Sequence, residues 1–337
     1  DRTFNCRHDH AMAIWTYIHE HDNGITNFHF EVSADLLNEK EIALINRMRP
    51  GLSQLEIGVQ SANEITIREI NRTMKIDVLS TIVDKIKKGN NVHQHLDLIA
   101  GLPYEGYESF GKSFDRVYKM NPEQLQLGFL KVLKGSVMHD RAQEYGIVYQ
   151  DRAPYEVLST KWLTYAEVIR LKQIEEMVEV YYNSGQFCCT MVALEQEFAS
   201  PFCMYECLAA YYDEKNAFAV SHSRIGRYEF LYDFIVKTCK ERSEQYMEML
   251  TLDMYLRDNV KKRPEFLRES GVSSDEAAAF YKKEEKERTY LKAYEGYDRR
   301  QMRKMTHLER IDGKTVLFDY KNRDPLTGNA AIYYLSE

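Results

Sequence analysis

The stretch Leu55–Arg72, LEIGVQSANEITIREINR, decides the fold, because it predicts a strand, a turn and a helix in immediate succession. In its first part, the apolar residues Leu55, Ile57 and Val59 alternate with a carboxylate, a glycine and an amide. A strand that leads directly into a helix is typical of parallel sheets, whose strands are normally apolar on both faces. This strand therefore has one face whose polarity needs an explanation.

The same alternation of strand and helix continues to about residue 135 and predicts a parallel sheet or barrel of βα units. Within the quoted stretch, Ser61-x-x-Glu64 indicates a capping box at the start of the helix. The predicted elements are strands at NFHFEVS, VHQHLDLIAGLP and EQLQLGFLKVL, and helices from His8 to His21, over NEKEIALINRM, from Ser61, over DVLSTIVDKIKKG and from Tyr107 to Met120.

Each of these strands has one polar face. His29 and Glu31 share a face of the first strand, and His93, His95 and Asp97 share a face of a later one. An open sheet with water on that face is one explanation, but parallel sheets rarely leave a face uncovered. A barrel interior that binds a polar ligand fits better, and such sites lie at the carboxyl ends of the strands.

Composition narrows the classes of function. The chain has 337 residues and a net charge of −7, which argues against a nucleic-acid partner, since phosphate binding usually needs a basic surface. No apolar run is long enough for a membrane span, so no membrane partner is expected. Six scattered cysteines do not indicate a disulfide scaffold, and we expect a cytoplasmic location.

Three segments, FEVSADLL, LEIGVQSANEITIREINR and HLDLIAGLPYEGYESF, resemble successive parts of radical S-adenosylmethionine (SAM) enzymes, in particular the class with an N-terminal cobalamin-binding domain. The resemblance covers about the first 140 residues. It implies an incomplete parallel (β/α) barrel that binds SAM across its strand ends. In that reading residues 1–140 are a radical SAM partial barrel and residues 141–337 a mainly α-helical domain.

The resemblance also implies roles for individual residues. Glu31 would contact the ribose of SAM, and Arg72 would pair with the methionine carboxylate, since a guanidinium can donate two parallel hydrogen bonds. Gly58 would leave room for the ligand. The full set of expected cofactor-binding residues is Glu31, Gln60, Arg72, Asp97, Asn5, Ser61 and Leu133.

The cluster-binding motif of the family, Cys-x-x-x-Cys-x-x-Cys, does not occur in this sequence. Its three thiolates hold a 4Fe–4S cluster. Cys203 and Cys207 have the first spacing, but no third cysteine follows, and they are expected to pack on a helix. We expect the cluster loop to precede Asp1, so that the chain is a fragment of a longer enzyme and is inactive alone.

The expected function of the full-length protein is reductive cleavage of SAM to start radical chemistry, or methyl transfer with cobalamin. A reducing protein such as flavodoxin or ferredoxin would then be a partner, and the substrate is unknown. Two alternatives remain: a non-catalytic SAM-binding or interaction domain, and a metal-dependent barrel hydrolase that uses His93 and His95.

Beyond residue 150 the pattern changes to helices, and the region is similar to a C-terminal domain of unknown function found in some radical SAM proteins. One long amphipathic helix is predicted from about Tyr155 to Gly185, with further helices near 204–213, 224–256 and 274–295. Three short antiparallel strands are predicted at the end, at KMTHLERI, KTVLFDYK and NAAIYYLS.

Overall fold

A computed structural model of the chain describes residues 3–260 and 262–335. The chain forms two compact units. The first comprises Asp1–Asn183 and Phe198–Glu214, and the second comprises Ser184–Glu197 and Lys215–Glu337. The domain boundary at residue 140 stays a prediction, and the first compact unit continues beyond it.

The core of the first unit is a parallel sheet of four strands in the order of the chain. This confirms the predicted succession of βα units. The strands are β1 (Phe28–Val32), β2 (Ser53–Gln60), β3 (His93–Ala100) and β4 (Gln124–Phe129). The helices around them are α1 (His8–Glu20), α2 (Glu39–Ile45), α3 (Glu64–Glu69), α4 (Ile76–Lys87), α5 (Tyr107–Tyr118) and α6 (Val137–Asp140).

One face of this sheet forms the hydrophobic core. Leu55, Ile57, Leu96 and Leu98 are completely buried. The residues between them point to the opposite face, because side chains alternate along a strand. There Glu31 is exposed, and Gly58 and Asp97 are only partly buried. The predicted division into an apolar and a polar face is confirmed.

The free edge of β4 is covered by a side chain. Asn183 accepts the backbone N–H of Leu125 at 2.9 Å and donates to its carbonyl oxygen at 3.0 Å. The amide thus makes the two hydrogen bonds that a neighbouring strand would make, which protects an edge that could otherwise pair with another chain. Asn183 ends a π-helical turn, Glu179–Asn183, that extends α7 (Tyr165–Val178).

Two of the predicted helix starts in the first unit are wrong. The helix α3 begins at Glu64, and its N-cap is Asn63, whose side chain accepts from the N–H of Ile65. The capping box at Ser61 therefore does not form. The predicted long helix begins only at Tyr165, because Thr164 and Glu167 form a capping box there.

The residues before α7 form two short antiparallel strands, β5 (Val148–Tyr149) and β6 (Val157–Ser159). Because β6 pairs with β5, residues 157–159 are a strand and not the first turns of the predicted helix. The first unit is completed by α9 (Pro201–Glu214), which carries Cys203 and Cys207.

The second unit combines helices with an antiparallel sheet of three strands, β7 (Thr306–Ile311), β8 (Lys314–Arg323) and β9 (Ala330–Tyr334). The predicted C-terminal strands are confirmed. Its helices are α8 (Cys188–Glu195), α10 (Arg224–Thr238), α11 (Ser243–Arg257), α12 (Ser274–Glu287) and α13 (Arg299–Met305). The single helix predicted over 224–256 is wrong, since the chain leaves helical geometry at Cys239. The helix predicted over 274–295 ends early, because Arg288 takes the left-handed conformation.

Among the described residues, no helix has both the length and the apolar character needed to cross a membrane.

The turn after β3 depends on a glycine, and this gives a stability prediction. Gly101 has a φ of +89°, and a Cβ there would lie 2.8 Å from Cγ1 of Val157. We expect Gly101→Ala to destabilise the protein by about 1–3 kcal/mol more than a control with backbone strain alone. Gly135→Ala is that control, because Gly135 has a φ of +80° and open space around it. Urea unfolding of both variants measures the difference, and equal losses would contradict the assigned contact.

Candidate functional site

The polar face of the first sheet brings several predicted residues into register. Glu31 of β1 is paired with Glu56 of β2, and Glu56 is paired with His95 of β3. Two residues further toward the carboxyl ends, Gly58 is paired with Asp97. Since residues two apart along a strand share a face, all five belong to the polar face.

Asp97 links the ends of two neighbouring strands. Its Oδ1 accepts the backbone N–H of Val59 at 3.2 Å, and its Oδ2 accepts the side-chain amide of Gln60 at 2.9 Å. Burial raises the pKa of Asp97 to about 6, and the charge of Glu56 adds to this rise. The hydrogen bonds from β2 and the positive charge of Arg72 oppose the rise but do not cancel it.

The carboxyl end of β2 is irregular at the point where these groups meet. The pairing with β3 shifts between Gly58 and Gln60, and Gln60 has a φ of 69°. Bulges of this kind redirect a side chain and are common next to active sites. A Cβ on Gly58 would lie 2.7 Å from Nε2 of Gln60 and 3.3 Å from a guanidinium nitrogen of Arg72. The space beside Gly58 is thus filled by these two side chains.

Arg72 reaches this site because the chain turns back after α3. Asn71 has a φ of 57°, and the backbone N–H of Arg72 donates to the carbonyl oxygen of Ile67 at 2.9 Å. Left-handed residues of this kind commonly end helices. The guanidinium then donates through Nη1 to the carbonyl oxygen of Gly58 at 2.6 Å. Arg72 therefore lies at the carboxyl end of β2, close enough to Asp97 to influence its pKa.

Glu31 and Asn5 lie at the first strand in two different environments. Glu31 is exposed, and the described residues include no hydrogen-bond or ion-pair partner for it. Asn5 is completely buried, and its amide binds both backbone groups of Ser33, donating to the carbonyl at 2.8 Å and accepting the N–H at 2.9 Å. Asn5 thus fixes the loop that follows β1.

Ser61 and Leu133 do not join the group formed by Gln60, Arg72 and Asp97 on the polar face. Ser61 is completely buried, donates to Oε1 of Glu105 at 2.8 Å and accepts the N–H of Asn63 at 2.9 Å. Ser113 donates to the same Glu105 oxygen at 2.7 Å. Leu133 is 49 % exposed beyond the end of β4.

Arg72 also lines a cleft of about 440 Å³, together with residues of α3 and the start of α4. It is also lined by the basic side chains Arg68, Lys75 and Arg116. Gln60 and Asp97 do not line it. Arg72 therefore borders both the cleft and the polar face of the sheet.

The histidines of β3 do not form a metal site with their neighbours. Burial lowers the pKa of both His93 and His95. Among the described residues, the polar face does not bring three possible metal-ligand atoms within 4.8 Å of one another. This geometry does not favour the hydrolase alternative.

Two carboxylates were not among the predicted site residues. Oε2 of Glu56 lies 2.9 Å from Nε2 of His29, and the charge of Glu56 raises the pKa of Asp97. Its place in the alternation of β2 could have identified it. Glu105 is buried, and burial raises its pKa, but its bond to Ser61 spans 44 residues and has no local sequence signal.

Comparison with known protein families assigns the second half of the chain to a family. The model of the family described as "Protein of unknown function (DUF4080)" matches residues 143–325, which is 183 of 337 residues. The chain belongs to the DUF4080 family. The DUF4080 region begins before α7 and extends into the segment between β8 and β9.

Curated relatives match a shorter part of this DUF4080 protein. Oxygen-independent coproporphyrinogen III oxidase of Salmonella typhimurium is 29% identical over 107 residues, which are 30% of this chain and 23% of that protein. The corresponding enzyme of Escherichia coli is 28% identical over the same length. The HemZ coproporphyrinogen-III oxidase-like protein of Bacillus subtilis is 28% identical over 119 residues. The chain spans about a quarter of the length of these relatives.

Two solved structures show partial similarity. One is coproporphyrinogen III oxidase (HemN) from Escherichia coli, a radical SAM enzyme, with a TM-score of 0.32, 21% identity, and coverage of 36% of this chain and 28% of that chain. The other is the radical SAM methyltransferase TsrM from Kitasatospora setae, with a TM-score of 0.39, 12% identity, and coverage of 49% and 34%. The relationship to radical SAM enzymes that the motifs predicted is confirmed by the sequence similarity to the coproporphyrinogen III oxidases.

The raised pKa of Asp97 predicts a specific pH dependence of stability. The folded state holds the proton of Asp97 more tightly than the unfolded chain does, so its contribution is present below pH 4 and is lost as the pH rises through about 6. We expect Asp97→Asn to gain about 2–3 kcal/mol relative to the parent chain between pH 4 and pH 7.5. Urea unfolding at several pH values measures this, with the exposed Asp84→Asn as the control. Parallel curves for parent and Asp97→Asn would refute it.

The buried hydroxyl of Ser61 gives a second prediction. In Ser61→Ala, Glu105 loses one donor and the N–H of Asn63 loses its acceptor. We expect a loss of about 1–3 kcal/mol in the free energy of unfolding, because Glu105 stays buried with one donor fewer. Ser80→Ala, on the half-buried side of α4, is the matched control and should change stability little. An unchanged Ser61→Ala protein would show that the hydroxyl is not needed to hold Glu105.

Proposed function

We propose that this chain supplies a SAM-binding segment of a radical SAM enzyme, with the ligand held over the polar face of the first sheet. The observation that carries the proposal is the grouping of Gln60, Arg72 and Asp97 around Gly58, at the carboxyl ends of β2 and β3. The exposed Glu31 and the partly buried Glu56 are on the same face. Ligands of parallel α/β folds bind at this end of the strands.

The chemistry of these residues suits the two ends of SAM. The guanidinium of Arg72 is the cation for the methionine carboxylate, and it has five N–H donors, one of which goes to Gly58. Glu31 provides carboxylate oxygens for the ribose hydroxyls. Asp97, together with Glu56, places negative charge near a ligand that carries a positively charged sulfonium.

The remaining residues would act at the periphery of the site. Asn5 would fix the loop after β1 near the methionine end of SAM. Ser61 would hold the end of β2 through its hydrogen bond to Glu105. Leu133 would offer an apolar surface to adenine. For these three residues the proposal rests on the resemblance of the motifs to radical SAM enzymes.

The cysteines of this chain do not fit a 4Fe–4S cluster. Such a cluster needs several cysteine thiolates close together. Among the described residues, no group brings three thiols together, and the nearest set consists of Cys188, Cys189 and Asp253 in the second unit. We therefore derive no step of SAM cleavage from these residues, and the chain on its own would bind SAM without cleaving it.

Several properties remain predictions for the enzyme as a whole. They are its substrate, methyl transfer, dependence on cobalamin, and a flavodoxin or ferredoxin as reductant. They depend on groups other than those described for the polar face. The proposal for this chain is limited to SAM binding, which can be measured without a cluster.

Binding of SAM to the chain tests the proposal directly. Without an iron ligand, the charged hydrogen bonds would contribute about 1.5–3 kcal/mol each, and we expect a dissociation constant of the order of millimolar. Protein-observed NMR titration is suited to this range. Arg72→Ala should weaken binding about tenfold or more, because one charged hydrogen bond is lost.

Arg47→Ala is the matched control, since Arg47 is an exposed arginine of the same unit outside the proposed site. It should bind SAM like the parent chain. Equal affinity of the parent chain and Arg72→Ala would remove Arg72 from the site, and the absence of saturable shifts at β2 and β3 would refute SAM binding by this face.

A further inference from the structure

The second unit contains a compact set of possible metal ligands. Among the described residues, Cys188, Cys189 and Asp253 form the one group of three whose ligand atoms all lie within 4.8 Å of one another. The two Sγ atoms are 4.0 Å apart, and Sγ of Cys188 is 3.4 Å from Oδ1 of Asp253. All three residues belong to the DUF4080 region and to the same compact unit.

These distances match the edges of a tetrahedron around zinc. With Zn–S bonds of about 2.3 Å and Zn–O bonds of about 2.1 Å, a tetrahedral ion separates two sulfur ligands by about 3.8 Å and a sulfur from an oxygen by about 3.6 Å. The two separations that involve Cys188, 4.0 Å and 3.4 Å, are therefore within a few tenths of an ångström of these values, and the third is at most 4.8 Å. Two thiols and one carboxylate also suit zinc better than calcium or magnesium, which prefer oxygen ligands.

The carboxylate is already held in place by the start of α8. Asp253, on α11, is completely buried and accepts the backbone N–H groups of Cys189 and Thr190, each at 2.8 Å. These bonds satisfy donors that a helix start leaves free. They orient the carboxylate toward Cys188, the first residue of the helix.

Asp253 also lacks a compensating positive charge. The described residues include no ion-pair partner for it, although a buried carboxylate is costly without one. A divalent cation at the two thiols would supply the missing charge.

An outer layer of polar groups supports the thiols. Nδ2 of Asn329 is 4.0 Å from Sγ of Cys188, within hydrogen-bonding range of a sulfur. Arg257 donates to Oδ1 of Asn329 at 3.4 Å and so orients its amide toward the sulfur. Metal ligands are commonly fixed by such outer-shell hydrogen bonds. Cys188 itself is exposed, so a water or a further ligand can complete the coordination.

We infer that Cys188, Cys189 and Asp253 form a binding site for a single zinc ion. Binding would replace the two thiol protons by the metal and leave one coordination position to solvent. The site is separate from the residues proposed for SAM, and its test does not depend on SAM binding.

Zinc titration of the reduced full chain, in competition with a chromophoric chelator, measures affinity and stoichiometry. We expect one zinc per chain with a dissociation constant below about 1 µM. Substitution with Co²⁺ should give a thiolate-to-cobalt charge-transfer band. Cys188→Ser and Cys189→Ser should each weaken binding by more than 100-fold, beyond the effect typical of outer-shell partners. Asn329→Ala, which removes only an outer-shell donor, should weaken binding by about 10-fold.

The variant Asp253→Asn tests the carboxylate while keeping an oxygen that can accept from α8, and circular dichroism checks that it folds. The double variant Cys203→Ser/Cys207→Ser is the matched control, because these cysteines lie four residues apart on α9 and should not contribute. Zinc affinity weaker than about 10 µM, or affinity that survives loss of both Cys188 and Cys189, would overturn the assignment.

Discussion

The carboxylate of Asp97 is the interaction on which the proposed site depends. It accepts one hydrogen bond from the backbone of β2 and one from the side chain of Gln60, so it fixes the bulge at the end of that strand. A Cβ on Gly58 would lie 2.7 Å from Nε2 of Gln60, so a larger residue there would displace the amide that binds Asp97. The guanidinium of Arg72 then donates to the carbonyl oxygen of Gly58. Removal of any one of these groups would disturb the others.

The polar face also determines how the first unit is stabilised. A sheet that keeps carboxylates and histidines on one face must bury apolar residues on the other, and Leu55, Ile57, Leu96 and Leu98 are fully buried there. Burial of apolar area is worth about 25 cal/mol per Å², so this face contributes to the stability of the first unit. The polar face adds little to the free energy of unfolding. At neutral pH the ionised Asp97, whose pKa is raised, lowers that free energy. Such local costs are expected at functional sites.

How far the sequence predicted this arrangement depends on the range of the interactions. Alternation within β2 and β3 identified the polar face and the positions of Gln60 and Asp97, because a strand's period of two is a local property. The role of Ser61 was not predictable in the same way, since its partner Glu105 lies 44 residues away and the cap passes to Asn63. The start of α7 was predicted too early because β6 pairs with β5, which lies outside the segment predicted as helix.

Two carboxylates, the partly buried Asp97 of the first unit and the fully buried Asp253 of the second, have charges that their surroundings balance to different degrees. Burial raises the pKa of both Asp97 and Asp253. Asp97 has a guanidinium nearby that opposes this rise, and it lies on a partly exposed face where a cationic ligand could add further compensation. Asp253 is fully buried, and its partners among the described residues are neutral N–H groups and a thiol. A divalent cation would balance the charge of an ionised Asp253, and the two thiols beside it, at a spacing typical of zinc ligands, are the reason that zinc is the ion proposed.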